Sequence, residues 1–329
     1  MASRSSRRAP APDTTPHPEK LENMAKAVSS RKIHPIIIYP FLQPRDTRNL
    51  AALYDKLVQR LTQNPDKYMR PLTVLNRQTH YRNKPSPEFQ EFIEGRVQKY
   101  SEIVDTWAVD TCQMWLSGFG KAFDQKSTVY DVYWLIPGDF DYASPSGERV
   151  LEAFERIPDE VYSGNAEMCL GEITVPLNSS KQLIDTYGTY GLLYNWFPAE
   201  AQGLRTITDK PRTEFFAISH DYLKKALVSQ RWYAYEQTIV ILLQGMQGVR
   251  PMREIRKVRL GEIVDEPIGR DTLSSAMQQV ERTERVLKLY WRELKERQDP
   301  MWPDKFRLLD HQSEQIRSAA MVILQQILA

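Results

Sequence analysis

Apolar positions along the chain fall into short β-branched runs separated by stretches of helical period, the alternation that builds an open α/β sheet. The run Ile36-Ile37-Ile38 predicts a strand buried on both faces. Leu50, Leu53, Leu57 and Leu61 then repeat on one helical face, with Asp46 or Thr47 ahead of them as a cap. PLTVLNR reads as a second strand. Ser86-Pro87 opens another helix, Ser as cap and Pro in the first turn, followed at helical spacing by Phe89, Phe92, Ile93, Val97, Tyr100 and Val104. A further helix is expected from about Trp107 to Phe123. Its Ser117-Gly118-Phe119-Gly120 marks a close approach or a helix end; no strand precedes it, so it is not a dinucleotide loop.

The clearest strand runs from Val129 to Ile136 and stops at Pro137-Gly138, with Asp139-Phe140-Asp141-Tyr142 following at once. Downstream, the pattern predicts a helix over Val150 to Ile157 and a strand over Met168 to Pro176. From about Asn178 to Asp209 no period is sustained, which predicts a long loop rich in Gly, Tyr, Asn and Trp. Thr213 to Ser219 reads as a strand, Asp221 to Val228 and Ala234 to Gln244 as helices, and Lys257 to Ile263 as a last strand. Two amphipathic helices close the chain, one through Met277, Val280, Leu287, Tyr290 and Leu294, the other through Leu308, Ile316, Ala320, Ile323 and Ile327. No internal repeat is visible.

Composition narrows the class. Hydrophobic residues make up 41% and charged residues 26% of 329, which suits a globular protein with a substantial core. A formal charge of +2 sets up no field that would steer a polyanion, so no nucleic-acid partner is expected. Cys112 and Cys169 each sit in an apolar stretch without metal-ligand spacing; buried free thiols and a reducing, cytoplasmic setting are expected. No apolar run is long enough for a membrane-spanning helix. The start, MASRSSRRAPAPDTTPHP, has Arg4, Arg7 and Arg8 but no apolar stretch behind them, and reads as a disordered arm rather than a secretory signal.

The acidic turn carries the chemistry. Ligands of open α/β sheets gather outside the carboxyl ends of strands, and Asp139 and Asp141 stand just past one. Hard divalent cations select oxygen ligands and bridge to phosphates. The same tripeptide elsewhere only satisfies backbone amides, so position matters more than composition.

The stretch YDVYWLIPGDFDYASPSG resembles the strand and D-x-D turn of GT-A glycosyltransferases, the nucleotide-diphospho-sugar transferase fold of many family-two enzymes, dolichol-phosphate-mannose-synthase types among them. The segments KPRTEFFAISHDYLKKAL and RWYAYEQTIVILLQGMQGVRPMREIRKVRL resemble a later part of that fold, so the likeness runs from about 35 to 270. It implies an α/β, GT-A-like mixed open sheet flanked by helices. It divides the chain into an arm (1–32), a catalytic domain (33–270) and a C-terminal helical extension (271–329). It further implies that Asp139 and Asp141 bind Mn²⁺ or Mg²⁺ together with the diphosphate of a nucleotide-sugar donor. Two departures stand out: no acidic residue closes the first strand, and no Q-x-x-R-W signature is present, so processive polysaccharide synthesis is unsupported.

Remaining candidates follow from what transfer needs. Arg45 and Asp46 follow the first strand, where a nucleotide would lie; Lys181, Arg205 and Arg270, in or beside irregular segments, could contact phosphate, for which Arg is suited. An inverting transferase needs a base for the acceptor hydroxyl, and Glu214, Asp209 and Glu236 are the candidates in that order. His34, His80, His220 and His311 form no ligand-spaced pair, although His220 could add a third ligand. The aromatic stretch Tyr187 to Phe197 either stacks on sugar or fills the core. The acceptor is not readable, and the terminal helices pack either on the core or on a second copy. A non-catalytic platform and a nucleotidyltransferase are the rival readings.

Overall fold

The computed structural model describes residues 31–39, 44–76, 86–108, 111–125, 128–174, 184–229, 237–247, 255–262 and 273–298. β1 (Ile33–Tyr39) is buried along its whole length, as a β-branched run between two helical layers must be. α1 (Pro44–Leu53) continues through a π-helical stretch, Tyr54–Val58, into a last turn, Gln59–Thr62. It starts at Pro44 rather than behind Asp46 or Thr47, because proline's fixed φ and missing N–H suit the first helical position.

β2 (Leu72–Asn76) leads to α2 (Pro87–Phe92), which runs on through Ile93–Val97 and Gln98–Tyr100. The Phe89 amide donates to Ser86 Oγ at 3.2 Å, the cap that the sequence predicts. Val104 is not on this helix. Ser101 turns the backbone extended and its hydroxyl donates to the Val97 carbonyl, so the chain enters β3 (Glu102–Thr106). Trp107 consequently sits at a strand end, and α3 begins only at Thr111, running to Asp124. α3 lies directly on the sheet: a Cβ on Gly118 would stand 2.6 Å from Ile36 Cγ2.

β4 (Val132–Pro137) starts later than its β-branched prelude suggests. Val129 and Tyr130 form an exposed turn, held because Asp131 accepts from the Thr128 amide and hydroxyl at 2.9 Å each. α4 (Pro145–Ala153), α5 (Arg156–Tyr162) and β5 (Met168–Thr174) follow.

The long loop expected between 178 and 209 is mostly helix where it is described: π-helical Ile184–Thr189, then α6 (Tyr190–Trp196) and α7 (Pro198–Ile207). Leu192, Leu193, Trp196, Ala201, Leu204 and Ile207 are all buried, and tertiary burial outweighs the low helix propensity of the Gly and Tyr residues among them. The remaining elements are β6 (Phe216–Ser219), α8 (His220–Ser229), α9 (Gln237–Met246), β7 (Ile255–Glu262) and α10 (Leu273–Gln298).

The seven strands are ordered β3-β2-β1-β4-β6-β5-β7. β1 to β4 run parallel, β6 runs against both β4 and β5, and β7 is parallel to β5. β6 is therefore the one reversed strand, and its entry lies at the edge where the others end. One face, with Ile36, Leu135, Leu170 and Phe216, packs under α3, α6, α7, α9 and α10. The other, with Ile37, Trp134, Cys169 and Ala217, packs under α1, α2, α4 and α5. α10 lays Val280, Leu287 and Tyr290 into that first core, with the Tyr290 ring stacked on Phe197 at 5.6 Å. The second terminal helix and residues 1–30 of the arm lie outside the described residues.

Candidate functional site

Chain direction across the sheet reverses its order of growth at β1: β2 and β3 are added on one side, β4 on the other. Such a switch point opens a crevice at the carboxyl ends of the two central strands. β1 and β4 end together there, with Ile38 opposite Pro137. The Gly138 amide donates to the Ile38 carbonyl at 2.6 Å, and a side chain on Gly138 would press within 2.8 Å of that same oxygen. Only glycine allows this approach, and it sets Asp139-Phe140-Asp141 just past the paired ends of β1 and β4.

The turn is held from below. Tyr142, fully buried, donates its hydroxyl to the Pro137 carbonyl at 2.6 Å. Ser144 caps α4: its hydroxyl accepts from the Gly147 amide at 3.0 Å and donates to the Asp141 carbonyl at 2.9 Å. Phe140 packs edge-on against Tyr142 at 5.0 Å and against Phe215 at 5.3 Å. Asp139 is half-buried and Asp141 exposed.

Glu214 comes to the same place from the other end of the chain. Phe216 pairs with Leu135 at the start of β6, and Glu214 lies two residues before it, at the end of the sheet where β4 finishes. Electrostatics agrees: burial pushes the Tyr142 phenol well above its usual range, and the negative charges of Asp139 and then Glu214 push it further. Three sequence candidates thus share one edge.

The others divide. Asp209 follows α7 at this edge and pairs with Arg205, four residues before it, at 3.5 Å; the Arg205 guanidinium also lies over the Tyr190 ring at 4.6 Å. The backbone of Arg45 and Asp46 is in the first turn of α1, after β1, while their side chains lie outside the described residues, as do Lys181, Glu236 and Arg270 altogether. His220 is at the opposite edge, where Ser219 pairs with Val132 at the start of β4; its Nδ1 bonds the Tyr133 hydroxyl at 3.0 Å, so it adds no ligand to the turn. His34 is at that far edge too, bonding the buried Asp131 at 3.0 Å. Tyr190 and Trp196 are core residues, whereas Tyr194 is exposed.

Two residues at the site edge escape the sequence pattern. Trp107, 56% exposed, stands just past the end of β3. Glu172 is buried near the end of β5, in a stretch whose apolar run hides its charge.

Among the described residues no group of three or more His, Cys, Asp or Glu could hold a metal on its own. Asp139 and Asp141 offer hard oxygens on an open edge, which fits a cation whose other positions are filled by diphosphate and water. Among the described residues no helix is long and apolar enough to cross a membrane.

No family model and no curated protein sequence matches the chain. Solved structures do. A crystal structure of a mycobacterial protein aligns at TM-score 0.53 with 13% identity, covering 80% of this chain and 77% of that one. Glucosyl-3-phosphoglycerate synthase from Mycobacterium tuberculosis, in complex with uridine diphosphate, aligns at TM-score 0.52 with 12% identity over 81% and 83%. The same synthase with Mn²⁺, UDP-glucose and phosphoglyceric acid aligns at 0.51 with 12% identity over 80% and 81%. At such identity the likeness speaks for architecture, and together with the mixed seven-stranded sheet it gives this chain the GT-A fold.

Proposed function

We propose that this protein is a metal-dependent glycosyltransferase that moves a sugar from a nucleotide-diphosphate donor to an acceptor. The observation that carries the reading is the acidic turn, Asp139 and Asp141, at the switch point of a GT-A sheet, with Glu214 beside it. Support also comes from the synthase of similar fold, which crystallises with Mn²⁺, UDP-glucose and phosphoglyceric acid.

In this reading Asp139 and Asp141 hold Mn²⁺ or Mg²⁺, and the bound cation neutralises charge on the leaving diphosphate. Phe140, packed against both Tyr142 and Phe215, anchors the turn that carries the two carboxylates. Glu214 leads as the group that takes the acceptor's proton. Asp209, already paired with Arg205, ranks second, and Glu236 third. Arg205, Arg270, Arg45 and Asp46 are assigned to the donor's phosphates and nucleoside. Residues 33–270 form the catalytic unit, between an arm (1–32) and a helical extension (271–329).

Calorimetry with UDP-, GDP-, ADP- and dTDP-sugars, with and without Mn²⁺, tests this. At least one diphospho-sugar should bind only with the metal, and Asp139→Asn should abolish that binding. Retained binding and turnover in Asp139→Asn would sink the metal assignment. Silence across the panel would favour a non-catalytic platform, and tighter binding of free triphosphates a nucleotidyltransferase.

A further inference from the structure

Glu172 is a buried carboxylate near the end of β5 whose two oxygens are both engaged. Oε1 accepts from the Asp209 amide at 3.1 Å, and Oε2 pairs with Lys257 Nζ on β7 at 2.8 Å. The preceding residue is tied to the same incoming segment. The Gly171 amide donates to the Phe215 carbonyl at 2.6 Å, and its carbonyl accepts from the Thr213 hydroxyl at 2.8 Å. The stretch from Thr208 to Phe215, which carries Asp209 and Glu214, is thus sewn to the end of β5 at both ends. Tyr190 adds a third point by donating its hydroxyl to the Thr208 carbonyl.

β7 changes register against β5 at this level. Glu172 faces Arg259, but Ile173 faces Gly261, so Leu260 is an extra residue and the pairing slips. Gly261 takes φ +141, a conformation glycine adopts without strain. Bulges of this kind re-aim side chains and end pairing beside functional sites. Burying a carboxylate is costly unless every lone pair finds a donor. Here one of those donors is the backbone of the segment that brings Glu214 to the acidic turn.

We infer that Glu172 is a positioning residue: it holds segment 208–215 on the end of β5 so that Glu214 faces the Asp139–Asp141 turn. The inference rests on reading this edge as the transfer site, but its structural half can be measured separately. In the full-length protein, amide hydrogen exchange is compared for wild type, Glu172→Ala and Glu172→Gln, alongside UDP-glucose affinity and turnover with Mn²⁺. Losing a hydrogen bond to a charged group should raise exchange in 208–215 about tenfold or more in Glu172→Ala, with β1 and β4 within about twofold. Glu172→Gln keeps an oxygen for the Asp209 amide, so its exchange there should stay within about threefold of wild type; this variant carries the test if the alanine variant does not fold. Turnover in Glu172→Ala should fall about tenfold or more while UDP-glucose affinity changes by less than about threefold.

Unchanged exchange in 208–215, or an equal rise in β1 and β4, overturns the inference, as does a glutamine variant that behaves like alanine. Donor affinity lost in step with turnover also overturns it, since that marks general damage. If the wild type neither binds nor turns over UDP-glucose, the failure falls on the proposed donor chemistry, and the exchange data still decide whether Glu172 positions the segment.

Discussion

Gly147→Ala puts a methyl group where the acidic turn leaves no room for one. A Cβ at Gly147 would lie 2.8 Å from both the Asp141 carbonyl carbon and Tyr142 Cα, and nearer still to the Asp141 oxygen. All of these atoms are backbone, so no flexible side chain can move aside. Replacing helical Gly by Ala ordinarily gains about 0.5–1 kcal/mol from backbone entropy. Overpacking costs about 1–3 kcal/mol, and a clash with backbone belongs at the upper end. Displacing the Asp141 carbonyl also breaks its bond from Ser144, worth about 1 kcal/mol. The cost wins, and a net loss of about 2–3 kcal/mol is expected. Gly120→Ala in α3 is the control: nothing lies within 4 Å of its Cβ, so it should gain about 0.5–1 kcal/mol. Urea denaturation at constant m-value reads both, and calorimetry reads whether metal-dependent donor binding is lost with the turn. A Gly147→Ala protein as stable as wild type, with Gly120→Ala stabilised as expected, would refute the close packing of α4 on the turn.

Three other outcomes follow from the same structure. Tyr142→Phe leaves the Pro137 carbonyl without its buried donor and should cost about 1–3 kcal/mol in urea melts, with the far-UV spectrum unchanged. Burial raises the Asp131 carboxyl, but bonds from His34, Thr128 and Lys32 outweigh burial and hold it below its usual range. Its contribution to stability is therefore complete above the unfolded value of about 3.9 and is lost as pH falls through the lower folded value. Asp131→Asn should lower the urea midpoint at pH 7 and flatten its decline on the acid side of about pH 4. Burial pushes the Cys169 thiol up to about 12, and Cys112 is buried as well, so neither should react with a thiol reagent at pH 8 until urea unfolds the chain; rapid labelling of the native protein would contradict that burial.

Much of this protein was legible along the chain, because most of its elements carry their own period or punctuation. Ile36 to Ile38 read as a doubly buried strand, Ser86-Pro87 as a capped helix start, and Pro137-Gly138 as the stop that precedes the acidic turn; each appears as such. Helix α6 did not read, because Tyr190, Leu192, Leu193 and Trp196 are buried and leave little polar surface to mark a period. Nor did α7, although Ala201, Leu204 and Ile207 line one buried face with Gln202 and Thr206 exposed, because its Pro, Gly and Thr dilute the helical signal. β3 hid behind Val104, whose spacing fits the preceding helix; the break lies in Ser101, whose side chain closes that helix.

The site followed the same division. That Asp139 and Asp141 end a strand is a local fact, written in eight or so consecutive residues. That Glu214 stands beside them, while His220 a few residues later is at the far edge, depends on β6 running against β4. The importance of Glu172 likewise depends on which segment crosses the end of β5. Strand order and direction are set by how distant segments bury their faces against one another. No period within a single segment records that choice, so the sequence determined the acidic turn and only the tertiary structure decided its company.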